Sequence, residues 1–168
     1  MVSIQSQSLN RYAPNLCCIC VDLICDGYYT GRFYHYYSAR PIQFHSQHEL
    51  IVNIDTLCDQ LDYPQAALRV RSFWPKRKRA VHRKEMRRQL SKEQLSVNRG
   101  NMATFLVHVK YRQNATWQGT VLWAEENKQA HFRSALELIK LMDSAVEEIL
   151  PDQESLSVSF ENHHNTTD

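Results

Sequence analysis

The sequence predicts an α+β protein of two tandem ββ(β)α repeats, with antiparallel sheets that are each covered by one helix. The first observation is that "FHSQHELIVNID" at residues 44–55 recurs as "FRSALELIKLMD" at residues 132–143, an offset of 88. The second is that the alignment continues backward at the same offset without a gap and brings Gly31 onto Gly119. A match at a fixed offset is typical of an internal duplication.

The strands of the second repeat are predicted from alternating polarity. In the stretch "TFLVHVKY", Phe105, Val107 and Val109 alternate with Leu106 and His108, which is the two-residue period of a strand. The polar turn "RQNAT" leads into the return strand "WQGTVLWAE", and the loop "EENK" precedes a short strand around "HFR". The internal alignment predicts the same order in the first repeat.

A capping box predicts where each helix begins. Ser46 with Glu49, and Ser134 with Glu137, form S-x-x-E, in which the serine accepts from a free amide and the glutamate reaches back to the cap residue. After each box, apolar residues recur on one helical face. They are Leu50, Ile51, Ile54, Leu57, Cys58 and Leu61 in the first helix, and Leu138, Ile139, Met142, Ala145, Val146 and Ile149 in the second.

Prolines and glycines mark the other boundaries of each repeat. Pro64 and Pro151 follow the two helices, where proline ends a helix. Gly31 and Gly119 lie inside strands, where glycine indicates a bulge or a close approach by another group. We expect a bend next to the large ring of Trp117, two positions before Gly119, and keep a ligand-approach site as the alternative.

We divide the chain into five segments on this basis. They are an N-terminal extension (1–15), a first repeat (16–63), a basic linker (64–103), a second repeat (104–151) and an acidic, mobile tail (152–168).

Two resemblances accompany the pattern. The line "WQGTV" followed by "FRSALELIKLMD" resembles small uncharacterised bacterial modules with a W-x-G-x-V hairpin and an F-x-S-x-x-E-L helix, which implies a fold and no function. Separately, "NATWQG" resembles the [D/N]-x-[S/T]-x-x-G pattern of PilZ domains, and Arg83 and Arg87 supply an R-x-x-x-R. This second resemblance implies a cyclic di-GMP sensor whose arginines hold phosphates. The first copy, "DGYYTG", departs from the pattern with Tyr28.

The linker is strongly basic. Residues 69–92 contain eleven Lys or Arg against one acid, Glu85. Basic side chains neutralise phosphates and release counterions, while aromatic rings stack on bases, which predicts contact with nucleic acid or another polyanion. The alternative is a solvated linker that is helical in part from Arg79 to Val97. The polyanion hypothesis names Arg69, Arg71, Lys76, Arg77, Lys78, Arg79, Arg83, Lys84, Arg87 and Arg88.

The tyrosines of "YYTGRFYHYY" define a second candidate surface. Tyr28, Tyr34 and Tyr36 fall on the face opposite Tyr29 and Phe33. We expect this face to pack on the other repeat. The alternative is an exposed interaction surface for a protein or nucleic acid, to which Phe73 and Trp74 of the linker would also belong.

The sequence offers little for catalysis. Walker, G-x-G-x-x-G, H-E-x-x-H and G-x-S-x-G motifs are absent, and five clustered cysteines predict reduced buried thiols, not disulfides or a metal site. The longest apolar run, "LCCICV", is far too short to span a membrane. We therefore expect a non-enzymatic cytoplasmic interaction or regulatory module without cofactor or metal, binding an unknown protein. A nucleic-acid-associated protein is the second hypothesis and a cyclic dinucleotide sensor the third.

Overall fold

The computed structural model describes residues 8–67, 73, 86–114 and 116–150. These residues form an α+β fold with one six-stranded antiparallel sheet and three helices. In chain order the elements are β1 (Cys17–Cys25), β2 (Tyr28–His35), β3 (Ile42–Phe44), α1 (Gln47–Leu61), α2 (Lys92–Ser96), β4 (Ala103–Tyr111), β5 (Gln118–Trp123), β6 (Lys128–Phe132) and α3 (Ala135–Ile149).

The sheet is continuous across the two halves of the chain. Its strand order is β3-β2-β1-β4-β5-β6, with β1 and β4 paired antiparallel at the centre from Cys17↔Val107 to Val21↔Ala103. The prediction of a separate sheet for each repeat is therefore wrong. The two halves join edge to edge, which also replaces the expected face-to-face packing, because pairing β1 with β4 satisfies the backbone groups that two isolated sheet edges would leave open.

α1 and α3 cover the same face of this sheet. The predicted helix faces are confirmed: Leu50, Ile54, Leu57 and Cys58 are buried on α1, and Leu138, Met142, Ala145 and Val146 are buried on α3. They share one core with the odd-numbered residues of the central strands, such as Ile19, Phe33, Phe105 and Val107.

The serine caps are confirmed, with one difference in the glutamates. The Ser46 hydroxyl accepts from the Glu49 amide at 3.2 Å, and Ser134 accepts from Glu137 at 3.0 Å. Each glutamate, however, accepts from the backbone amide one residue before the cap, His45 at 2.7 Å and Arg133 at 2.6 Å. The reciprocal box instead occurs at α2, where Ser91 and Gln94 cap each other.

Gly31 and Gly119 lie where two features coincide. The pairing register shifts opposite each glycine, which is a bulge. A Cβ on Gly119 would lie 2.2 Å from the His108 carbonyl oxygen and 2.5 Å from Cζ of Phe132. The ring that approaches Gly119 is therefore Phe132, and the ring that approaches Gly31 is Phe44. The expectation that Trp117 lies next to Gly119 in this way is wrong.

The second face of the sheet is covered by segments outside the two predicted repeats. Leu9 and Ala13, which precede β1, and Leu95 of α2 form a second core with Cys18 and Leu106. Part of the N-terminal extension and part of the linker therefore pack on the sheet. Among the described residues, no helix combines the length and the apolar character needed to cross a membrane.

Candidate polyanion-binding surface

The end of the basic linker is fixed to the second face by backbone hydrogen bonds. The amides of Gln89 and Leu90 both donate to the Tyr36 carbonyl oxygen, at 2.7 and 3.1 Å. The Gln89 side chain accepts from the Ala39 amide at 3.1 Å. The linker thus reaches the sheet at the residue that follows β2, and its side chains are presented from a defined backbone.

Arg88 and Tyr36 are joined there. The Tyr36 side chain is buried, and its hydroxyl donates to the Arg11 carbonyl oxygen at 2.6 Å. The guanidinium carbon of Arg88 lies 4.4 Å from the Tyr36 ring centroid, within cation–π range, and its Nη2 donates to the Tyr12 carbonyl oxygen at 3.2 Å. Burial raises the pKa of Tyr36. Tyr36 therefore does not belong to an exposed tyrosine surface, which corrects the prediction.

Tyr12 is the exposed aromatic residue of this region. Its side chain is 71% exposed. Lys92 Nζ lies 4.5 Å from the Tyr12 ring centroid and 3.3 Å from its hydroxyl oxygen. The Tyr12 ring therefore contacts the ammonium of Lys92, Arg88 binds the backbone of the same residue, and most of the ring is open to solvent.

We call this region the cationic surface and define it as Arg11, Tyr12, Arg87, Arg88 and Lys92. Arg11, Arg87 and Arg88 are exposed and Lys92 is half-buried. One acid, Glu93, is exposed beside Lys92. Hydrogen bonds from its own backbone amide and from the Ser91 side chain lower the pKa of Glu93, so its charge partly offsets the cations.

The cationic surface includes residues that sequence reasoning missed. Arg87 and Arg88 were predicted as polyanion-binding residues. Arg11 and Tyr12 were assigned to a plain extension, and Lys92 was counted in the basic run without a role. The sequence carries no local signal for the group, because the contacts that build it join residues 76 and 80 positions apart.

The other predicted site residues do not gather at one place. Arg69, Arg71, Trp74, Lys76, Arg77, Lys78, Arg79, Arg83 and Lys84 lie outside the described residues. Phe73 is fully exposed, and Tyr28 is 60% exposed at the start of β2. Tyr34 is half-buried, with its hydroxyl accepting from Arg32 at 3.0 Å. Tyr28 begins the eight-residue strand β2 and Tyr36 follows its last residue, so the two are roughly 25 Å apart.

The cysteines behave as a structural set. All five are free thiols, and every one except Cys25 is buried. Cys17 belongs to the core under the helices and Cys20 to the core of the second face, so the C-x-x-C motif divides between two faces. Cys18 and Cys20 share the second face with their sulfurs 3.9 Å apart. No three His, Cys, Asp or Glu side chains of the described ranges form a group that could hold a metal ion.

The residues that resemble a PilZ motif are occupied by internal contacts. Asn114 has a φ of 53°, and the Thr116 hydroxyl donates to the Arg133 carbonyl oxygen at 3.1 Å. The Phe132 ring lies against Gly119, where the motif would approach a base. The described strands form an open sheet with β3 and β6 at its edges, whereas a PilZ domain is built on a six-stranded barrel.

Comparisons with known proteins give no match: no protein-family model, no curated protein and no solved structure is significantly similar to this chain.

Proposed function

We propose that this protein is a non-enzymatic cytoplasmic interaction module whose partner is a polyanion, with single-stranded nucleic acid as the best fit. The observation that carries the proposal is the exposed ring of Tyr12, which contacts the ammonium of Lys92 and whose backbone carbonyl oxygen accepts from Arg88. Proteins that bind single strands without sequence preference combine aromatic rings, on which bases stack, with cations that follow the phosphates.

The distribution of charge supports the same partner. Eleven of the twenty Lys and Arg lie in residues 69–92 with one acid, which leaves nine bases and seventeen acids in the rest of the chain. The cationic surface adjoins the end of this run at Arg87 and Arg88. A concentrated positive region in an otherwise acidic protein attracts a polyanion to one place and repels it elsewhere.

We further propose that the chain arose by duplication of a ββ(β)α unit. The support is the fixed offset of 88 in the sequence, together with the matching order β1-β2-β3-α1 and β4-β5-β6-α3. In this scheme both helices cover one face of the shared sheet, and the second face is left for the N-terminal segment and the end of the linker, which together build the cationic surface.

A salt titration of binding to a random single-stranded oligonucleotide tests the function. If about six side chains contact phosphates of a single strand, affinity falls about three hundredfold between 50 and 200 mM salt. Lys92→Ala reduces the slope of log affinity against log salt by about 0.7, the value of one phosphate contact on a single strand. Lys140→Ala removes an exposed charge from α3, on the other face, and serves as the control.

The aromatic contribution is tested separately. Tyr12→Ala weakens binding about tenfold at every salt concentration, because stacking does not depend on counterion release. Tyr28→Ala, which removes an exposed tyrosine at the far end of β2, leaves affinity unchanged. No binding at 50 mM salt would contradict the proposal and return the function to a protein-binding module. Thermal stabilisation by cyclic di-GMP alone would favour the third hypothesis instead.

A further inference from the structure

Cys18 and Cys20 form a pair of thiols on the second face of the sheet. They lie two positions apart on β1, so their side chains point to the same face, and both are fully buried. Their sulfur atoms are 3.9 Å apart, and one thiol donates to the other. Leu95 of α2 and Leu106 of β4 belong to the same apolar core. Two thiols are therefore held side by side in an apolar layer.

The strand keeps this pair from closing into a disulfide. β1 is a central strand, in which Cys18 pairs with Tyr34 of β2 on one side and with Leu106 of β4 on the other. Alternate residues of a strand lie about 6.4–6.8 Å apart, and their parallel side chains keep the Cβ atoms at about that spacing. A disulfide requires Cβ atoms about 3.5–4.5 Å apart. Forming it would distort a strand that is paired on both sides, whereas the sulfur atoms already approach each other by leaning together.

Two thiolates at this spacing can hold a soft metal ion. A zinc–thiolate bond is about 2.3 Å long, so an ion bound between two sulfur atoms places them at most about 4.6 Å apart. The sulfur atoms of Cys18 and Cys20, at 3.9 Å, are within this limit. Structural zinc sites use four ligands, and the described part of the chain has no group of three or more His, Cys, Asp or Glu that could hold an ion. Cu(I) is selected by soft thiolate ligands and is stable with two of them.

Positive charge lies close to the pair. Arg32 of β2 pairs with Cys20, and its Nη2 donates to the Arg99 carbonyl oxygen at 2.8 Å. Asp22 binds Arg32 and offsets part of this charge. The hydrogen bond with Cys18 lowers the pKa of Cys20 against the effect of burial, and the charges of Arg32 and Arg99 act in the same direction as this bond. One Cu(I) with two thiolates carries a single negative charge, which the nearby guanidinium groups favour.

We propose that Cys18 and Cys20 form a binding site for one Cu(I) ion beneath α2. Each sulfur atom forms one bond to the metal, and both thiols lose their protons, so one ion replaces two protons. The helix that packs over β1 at this point has only five residues, so the cover over the pair is short. At the aligned positions the second half has Leu106 and His108, which cannot form the same two-thiolate site.

The test is a titration of the full-length chain with Cu(I), without nucleic acid, in competition with the chelator bathocuproine disulfonate. Oxygen is excluded and ascorbate keeps the copper reduced. The chain binds one Cu(I), and X-ray absorption shows sulfur neighbours around the copper. Affinity increases with pH because binding releases protons. Cys18→Ala and Cys20→Ala each weaken binding by about a hundredfold or more, because the second thiolate binds an ion that the first already holds close to it.

The controls separate the pair from the other copper ligands of the chain. Cys17→Ala removes a buried thiol of the same strand that faces the other core, and Cys25→Ala removes the exposed thiol. A chain with both His163→Ala and His164→Ala lacks the adjacent histidines near the C-terminus. All three variants bind Cu(I) as the native chain does. Urea unfolding of each variant checks that it is folded.

Three results on the native chain would overturn the inference, and none depends on the folding of a variant. The first is a chain that does not retain Cu(I) against the chelator. The second is an X-ray absorption spectrum with nitrogen neighbours in place of sulfur, because histidines would then hold the copper. The third is a disulfide between Cys18 and Cys20 that hydrogen peroxide forms in the folded chain, because the strand would then not hold the two thiols apart.

Discussion

α1 in the first half and α3 in the second each carry an aspartate at the same position, Asp55 and Asp143, 88 residues apart. Each aspartate contacts the other half of the molecule, but through different chemistry. The hydroxyl of Tyr29, on β2, donates to Asp143. Asp55 accepts from the buried guanidinium of Arg112, which follows β4. Trp117, the residue aligned with Tyr29, has no hydroxyl to offer. The aligned aspartates Asp55 and Asp143 thus connect the two halves through different partner residues.

The largest expected effect is the loss of stability when the Trp117 ring is removed. Trp117 is 8% exposed and belongs to the same core as Leu138 and Met142, as predicted. Trp117→Ala should cost about 3–5 kcal/mol of unfolding free energy, because the large ring leaves a cavity. Urea denaturation measures the loss, and Tyr28→Ala, an exposed tyrosine, should change stability by less than about 0.5 kcal/mol. A similar small loss at both sites would mean that Trp117 carries no core packing.

The second prediction concerns Arg112, which connects the second half of the chain to α1 of the first half. Its Nη1 lies 2.5 Å from Asp59 and 3.3 Å from Asp55, and its Nε donates to the Pro64 carbonyl oxygen at 2.8 Å. Arg112→Met should cost about 2 kcal/mol, below the range for a fully buried pair because both carboxylates are partly exposed.

The matched contact on the other side has an uncharged donor, the Tyr29 hydroxyl. Tyr29→Phe should cost about 1 kcal/mol, since one hydrogen bond to Asp143 is lost and the ring remains. Measuring both variants by urea denaturation compares the two connections directly. If Tyr29→Phe costs more than Arg112→Met, the tyrosine–aspartate contact is the stronger connection and this ranking is wrong.

His108 gives the two halves different responses to pH. The aligned residue in the first half is Cys20. Burial lowers the pKa of His108 to about 4, and neither ring nitrogen has a hydrogen-bond partner among the residues that the structure describes. An unfolded histidine titrates near 6.5, so between pH 6.5 and 4 the unfolded chain binds more protons than the folded one. Stability should therefore fall as pH falls through this window, by about 2 kcal/mol from this residue.

The measurement is urea unfolding at pH 7 and pH 4.5. His108→Leu should lose less stability between these values than the native chain does, whereas His48→Gln, at an exposed histidine on α1, should follow the native chain. An equal loss in His108→Leu and the native chain would show that His108 does not titrate in this window.

The sequence allowed the elements to be predicted better than their assembly. Alternation in "TFLVHVKY" and the S-x-x-E boxes depend on neighbours within a few residues, and the strands, helix faces and serine caps follow from them. The pairing of β1 with β4 joins residues about ninety positions apart, such as Cys17 and Val107, and no local pattern specifies it. One signal was present: "LCCICV" is apolar at every position, which indicates a strand buried on both faces.

The candidate site could be predicted only in part. The basic composition of the linker pointed to Arg88, because charge is visible in sequence. The neighbours of Arg88 in space, Tyr12 and Arg11, come from a segment that looks like a plain extension. Arg11 and Tyr12 are held in place by their apolar neighbours Leu9 and Ala13, which pack on the second face. Isolated apolar residues of this kind are common in polar segments, so they do not predict this packing.

The smallest expected effect tests whether the two helix starts are equivalent. Ser46→Ala and Ser134→Ala each remove one acceptor from an amide in the first helical turn, and each should cost about 1 kcal/mol.

The partners of the two glutamates, Glu49 and Glu137, differ between the halves. The Arg133 guanidinium donates to Glu137 at 3.1 Å, and this contact and the Arg133 amide lower the pKa of Glu137. Glu49 accepts from the amide and ring of His45 instead, which also lower its pKa.

Salt should therefore distinguish the two caps. Arg133 keeps its charge at neutral pH, so the glutamate at the start of α3 takes part in an exposed ion pair that salt screens. Measured in urea at low and at high salt, Arg133→Ala should lose part of its effect at high salt. The effect of His45→Ala should not change with salt, because the backbone amide of residue 45, which donates to Glu49, remains. Both serine variants should keep their costs at either salt concentration, because a hydroxyl cap carries no net charge. Unchanged urea midpoints in Ser46→Ala and Ser134→Ala would show that the serine caps do not stabilise the helices. An equal salt response of the Arg133 and His45 variants would show that the glutamate contacts at the two helix starts do not differ in charge.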